Sequence, residues 1–239
     1  MSAFLYGVAL QWKLDIRSRA LLITCYVVPL LFFAVMGGIF TSINPQAKDT
    51  LIQSMTVMGV SMGALIGLPP TLSEIYGSDM KKVYRANGVP LYLGLVSVFL
   101  SAFIHLLLMS AIIYVIAPVA FDAALPVSLP AYFGSLALFT AVSLSIGCVL
   151  GLMVKRPAKL TMISQIIFLP SIMLSGIMFS ADLLPRFLQV IGKLFPAAWG
   201  YDLMAKGGFS LGSLWPLAAI LAVAVFLCGL MLHKLKSEA

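Results

Sequence analysis

Gly59-Val-Ser61-Met-Gly63 matches the G-x-S-x-G string that holds a serine nucleophile on a tight strand-to-helix turn. His105 is a lone imidazole deep in an apolar run. A serine with a histidine base would be the core of an intramembrane serine hydrolase. Ser61, however, lies inside an uninterrupted apolar run, where no strand-to-helix turn can form. Gly59, Gly63 and Gly67 recur every four residues, which reads better as a small-residue ridge allowing close helix approach. Met55, Met58 and Met62 also share a helical face. Thioethers suit Cu(I), but no His or Cys cluster accompanies them. Cys25, Cys148 and Cys228 are scattered through apolar runs and have no metal-ligand or disulfide spacing. No G-x-x-x-x-G-K-[ST] loop is present. No catalytic residue, metal site, nucleotide site or cofactor is therefore expected in this chain.

The elements that carry these residues follow from composition. The chain has 239 residues, of which 62% are hydrophobic and 10% charged. A soluble domain carries about 25% charged residues, so one soluble fold is excluded. Disorder needs the opposite composition. Six stretches contain no Asp, Glu, Lys or Arg: 20–47, 50–73, 86–121, 123–154, 160–181 and 207–233. Each exceeds the roughly 20 residues that cross a hydrocarbon core about 30 Å thick. Continuous runs satisfy their backbones in lipid as helices, whereas barrel strands alternate. The expected fold is an all-α integral membrane protein, a single transmembrane domain over 1–239. Its six spans are placed at 20–40, 51–72, 90–117, 131–154, 160–180 and 211–232.

Six spans put both termini on one side. The segments on that side hold eleven of the 15 Lys and Arg residues, against four opposite, so both termini are expected in the cytoplasm. The net charge of +7 is mostly this bias. It suits anionic headgroups and calls for no nucleic acid. The interfacial segment 1–19 reads as a helix lying on the cytoplasmic surface, with Leu5, Val8, Ala9, Trp12 and Ile16 as its apolar stripe. Trp12 is suited to the interface, and Lys13, Asp15, Arg17 and Arg19 crowd just before the membrane. Between spans two and three, residues 74–88 are the most charged stretch. Ser78 or Asp79 would cap a short helix there, and Asn87-Gly88 would end it. The outer segment 182–206 starts with Asp182 and Pro185 and places Leu184, Phe187, Leu188, Ile191, Leu194 and Phe195 on one face. Arg186, Gln189 and Lys193 lie opposite, and Pro196 stops the helix. This is an outer amphipathic or re-entrant helix between spans five and six.

Two segments carry a family resemblance. The first is Glu74 followed by Asp79-Met-Lys-Lys-Val-Tyr-Arg-Ala-Asn-Gly-Val-Pro90. The second is Leu174-Ser-Gly-Ile-Met-Phe-Ser-Ala-Asp-Leu-Leu-Pro-Arg-Phe-Leu-Gln-Val-Ile-Gly-Lys-Leu-Phe-Pro196. With the six-span layout they resemble the permease subunit of type-2 ATP-binding-cassette exporters. The resemblance implies two membrane subunits, here a homodimer, and two ATPase subunits that bind ATP and Mg. It implies a bacterial cell membrane location and export of a drug, an antibiotic or another lipophilic or amphipathic cargo. Residues 74–88 would be the coupling helix segment, with Glu74, Asp79, Lys81, Tyr84 and Arg85 touching the ATPase. Trp12, Lys13, Arg17 and Arg19 would lie beside them. By the same analogy spans two and five line the cargo cavity, exposing Ser61, Met62, Gln165 and Met173. The segment after span two is Lys-rich where the family is often more acidic, and no Arg enters span six. The spans carry no Asp, Glu, Lys or Arg. Energy for transport is thus expected from a partner rather than from a coupled ion. A membrane sensor or scaffold that moves no cargo is the rival reading from another class.

Overall fold

A computed structural model describes residues 3–77, 84, 86, 89–178, 181–206 and 211–237, and the side chains of all of these except 3–5, 20, 236 and 237. Among the described residues every regular element is helical and no strand occurs. In chain order the α-helices are α1 (Ala3–Arg17), α2 (Arg19–Leu22), α3 (Val28–Ile43), α4 (Leu51–Met62), α5 (Leu68–Gly77), α6 (Leu91–Phe121), α7 (Leu129–Met153), α8 (Pro157–Met173), α9 (Arg186–Gly192), α10 (Pro196–Ala205) and α11 (Leu211–Ser237). Among the described residues five helical stretches are long and apolar enough to cross a membrane: Ile23–Ile43, Leu51–Gly77, Leu91–Phe121, Leu129–Met153 and Leu211–Leu235. We call the first four spans one to four and the last the C-terminal span. The chain is thus an integral membrane protein.

Spans one and two share a device that proline explains. In span one the turn Ile23–Val27 is a π-helix, and the Val28 N–H bonds to Ile23 O. In span two Gly63–Gly67 is a π-helix, and the Leu68 N–H bonds to Gly63 O. Each π turn lies just ahead of proline: Pro29 in one, Pro69 and Pro70 in the other. Proline has no N–H and clashes with the carbonyl four residues back. The wider turn moves that carbonyl aside without breaking the helix. The two π turns face each other, with Gly67 set against Cys25 and Thr24.

Span two is the centre of the bundle. Every residue from Leu51 to Ser61 is buried. Its glycines explain how neighbours come so close. A Cβ at Gly59 would meet the Met109 thioether at 2.6 Å, and one at Gly63 would run into Leu106. On the opposite side a Cβ at Gly151 of span four would lie 2.7 Å from Leu72 Cβ and 2.8 Å from Pro69 O. Small residues on both helices thus admit spans three and four to the same central helix. Thr56 and Tyr132 share a buried hydroxyl bond of 2.8 Å across the span two–span four contact.

Three expectations need correcting. The apolar run 160–180 is not helical throughout. α8 has 17 residues, about 25 Å of helix, and Gly176 turns the chain with φ 83°. The amphipathic helix expected between Asp182 and Pro196 is shorter than its apolar pattern. A 3-10 turn, Ala181–Leu183, precedes the seven-residue α9. Pro196 then opens α10, with its fixed φ suited to a first helical turn, instead of ending a helix. Phe187, Ile191 and Leu194 of the assigned apolar face are exposed, Arg186 and Lys193 opposite are exposed as well, and Gly192 fits against Leu174. Finally, α1 carries its apolar stripe differently from the spacing, with Ile16 exposed. It packs on α6, where Gly7 meets Ser97 and Leu93. Its buried side runs through Gln11, Trp12 and Asp15, while Tyr6, Leu10, Leu14 and Ile16 are exposed.

Candidate functional site

The end of the bundle that holds α1, the foot of α5 and the start of α6 carries several polar ties between helices. Asp15 of α1 is 4% exposed. Its Oδ1 accepts from Gln11 Nε2 at 2.8 Å, and its Oδ2 accepts from Ser101 Oγ on span three. One turn along span three, His105 is 2% exposed. The Trp12 ring stacks on it, with centroids 4.1 Å apart and planes 9° apart. Tyr26 Oη lies 2.7 Å from His105 Nδ1. The lead helix is thus bolted to spans one and three through polar and ring contacts. The sequence reading missed Asp15, because Lys13, Arg17 and Arg19 around it mark an exposed stretch. The available signal was its i, i+3 relation to Trp12 and i, i+4 relation to Gln11.

The foot of span two is tied on two sides. Ser73 Oγ donates to Val154 O at 2.8 Å, at the end of span four. Tyr76 Oη donates to Leu91 O at 2.5 Å, at the start of span three. A Cβ on Gly94 would sit 3.1 Å from Tyr76 Oη and 3.4 Å from Tyr84 Oη, so both tyrosines close over span three there. Together these bonds tie the foot of span two to the end of span four and the start of span three. Glu74 is exposed at this end and Tyr84 is half-buried. Asp79, Lys81 and Arg85 lie outside the described residues, as does most of the expected coupling helix. Lys13, Arg17 and Arg19 are exposed on or beside the lead helix, and Trp12 is half-buried against His105.

At the opposite end a cavity of about 1130 Å³ opens between the ends of spans one and two and helices α9 and α10. Met36, Phe40 and Trp199 give it apolar walls, and Asn44, Ser54 and Gln189 give it polar ones. Lys206 Nζ pairs with Asp202 Oδ1 at 2.6 Å on its rim, and Trp199 Nε1 donates to Lys193 O at 2.7 Å. The linker after span one is held to the end of span three by Lys48 and Asp122, 3.4 Å apart.

The four residues assigned to a cargo path differ in exposure. Ser61 is 2% exposed, inside the bundle. Met62 and Gln165 are half-buried, and Met173 is exposed on α8. Nor do Ser61 and His105 form a nucleophile–base pair. His105 Nδ1 is taken by Tyr26, and Nε2 has no partner. Among the described residues no cluster of His, Cys, Asp and Glu could hold a metal ion.

The geometry is that of a helical multi-pass membrane bundle. Residues 3–209 match the family model described as ABC-2 type transporter, and the chain belongs to that family. It is a membrane permease of an ABC transporter, a class that works with an ABC ATPase subunit. Comparison with curated proteins returned no match.

Proposed function

We propose that this chain is the permease of an ATP-driven exporter in a bacterial cell membrane, working as a homodimer with two ATPase subunits. ATP and Mg are bound by the ATPase, and this chain performs no catalysis. α8 and the turn that follows it complete a sixth crossing, and both termini face the cytoplasm, where the basic residues cluster. The ATPase docks at 74–88, with Glu74, Asp79, Lys81, Tyr84 and Arg85 as contacts and the lead helix beside them. ATP-driven closure of the two ATPases biases the paired bundles between inward and outward openings. The observation that carries this reading is the double tie at the foot of span two. Ser73 to Val154 and Tyr76 to Leu91 give a docked partner a grip on three spans. Lipophilic or amphipathic cargo suits the mixed lining of the far-end cavity.

The test is transport in sealed vesicles containing this chain and its ATPase. ATP-dependent movement of a lipophilic dye supports export. ATP hydrolysis with no movement of any tested cargo supports the rival sensor reading. Glu74→Ala and Arg85→Ala should each leave the folded chain intact while separating hydrolysis from movement. Normal coupling in both would remove these residues from the mechanism.

A further inference from the structure

Helix α1 has two contrasting sides. Gln11, Trp12 and Asp15 turn into the bundle, and Gly7 meets Ser97 and Leu93 of span three. The other side carries Tyr6, Leu10 and Leu14, which recur every four residues and so form one line along the helix. All three are exposed, at 62%, 45% and 54%. Lys13 and Arg17, also four apart, are exposed on that side, and Arg19 is exposed just beyond. Asp15 is the one acidic residue before Asp49. It faces inward, 4% exposed, and accepts from Gln11 and Ser101. Among the described residues no carboxylate pairs with Lys13, Arg17 or Arg19. The chain fixes the height of these cations. Ser18 N–H donates to Leu14 O and Asp15 O, and Leu22 N–H donates to Ser18 O, so α1 passes into α2 and span one without a loose loop. Arg19 stands four residues before Ile23, where span one begins, about 6 Å along a helix. That is the depth of the headgroup layer. Lys155 and Arg156 are exposed at the same end, where Lys155 O lies near Gly77 at the foot of span two. Among the described residues Glu74 is the exposed acid of that end.

We propose that the exposed side of α1 is a docking surface for anionic phospholipid in the leaflet at this end of the bundle. Tyr6, Leu10 and Leu14 enter the upper acyl region, and Lys13, Arg17 and Arg19 pair with headgroup phosphates. The inward turn of Asp15 removes the one acid that would otherwise neutralise these cations locally. A zwitterionic headgroup carries its own cation beside the phosphate, so the fit is to lipid of net negative charge. The lipid covers the face of the lead helix that the bundle leaves open.

The full chain in phosphatidylcholine nanodiscs tests this, and the outcome is independent of cargo. The three native cysteines are buried, so a fluorophore on Leu10→Cys reports from α1. Phosphatidylglycerol or phosphatidylcholine carrying a nitroxide quencher on the acyl chain is then titrated in. The proposal predicts half-quenching at a several-fold lower mole fraction of phosphatidylglycerol than of phosphatidylcholine, with the gap shrinking as salt rises. Lys13→Gln, Arg17→Gln and Arg19→Gln should each raise the phosphatidylglycerol midpoint by roughly fivefold, the usual effect of one basic residue near an anionic surface. Arg17→Lys with Arg19→Lys keeps the charge and should leave the midpoint in place. A midpoint displaced as far by these two as by Gln would make the effect one of packing and overturn the proposal. Equal quenching by the two lipids would overturn it as well. Quenching by neither, with the fluorophore shielded only after an ABC ATPase is added, would assign the face to that protein instead.

Discussion

A methyl group at Gly151 has nowhere to go, because two of its nearest neighbours are backbone atoms of Pro69. Gly151→Ala should therefore destabilise the bundle by roughly 1–3 kcal/mol, the usual effect of overpacking. Gly229 is also helical, but a Cβ there meets nothing within 4 Å. Gly229→Ala should be neutral or stabilise by up to about 1 kcal/mol. Thermal unfolding in one detergent compares the two, and equal shifts would contradict the close span two–span four contact. At Ser61, a fluorophosphonate probe should leave the protein unlabelled, because no base reaches the hydroxyl; labelling abolished by Ser61→Ala would revive the hydrolase. The glycine spacing of span two was legible in the sequence, since four-residue periodicity survives in any helix. The role of Asp15 was not. Its hydrogen-bond partner Ser101 lies 86 positions away, and the local charge pattern points to solvent.

Prolines set the character of individual elements. Pro29→Ala returns an N–H to span one and removes the reason for the π turn at Ile23–Val27. Losing that extra residue would rotate Tyr26 by about 100° relative to α3. Disulfide formation between cysteines placed at 26 and 105 should then slow several-fold, and an unchanged rate would show that the π turn has another cause. Tyr76→Phe removes the bond from span two to Leu91 O. Residues along a coupling route typically change coupling by about 0.5–2 kcal/mol, so the ratio of transport to hydrolysis should fall by about 2- to 30-fold. A normal ratio would detach Tyr76 from the route. The five long apolar helices were readable because charges bracket their runs. The π turns, the end of α8 and the break before Pro196 were not readable. Each depends on where a proline or glycine meets a neighbouring helix, not on apolar periodicity.

For the whole molecule, scarcity of charge gives both the membrane assignment and the energetic argument. With 10% charged residues, the spans hold Asp, Glu, Lys or Arg only near their ends, at Glu74 and Lys234, and the buried carboxyl of Asp15 arrives on the lead helix. In the function proposed above, the polar ties at the α1 end are where a partner grips the bundle. The family supplies its class, an ABC ATPase. The most direct test is isolation of the tagged full chain from its native membrane in mild detergent, followed by identification of what accompanies it. The account predicts an ABC ATPase in equal numbers with this chain, released by Glu74→Ala together with Arg85→Ala. A folded, monodisperse chain that brings down no ATPase would contradict it.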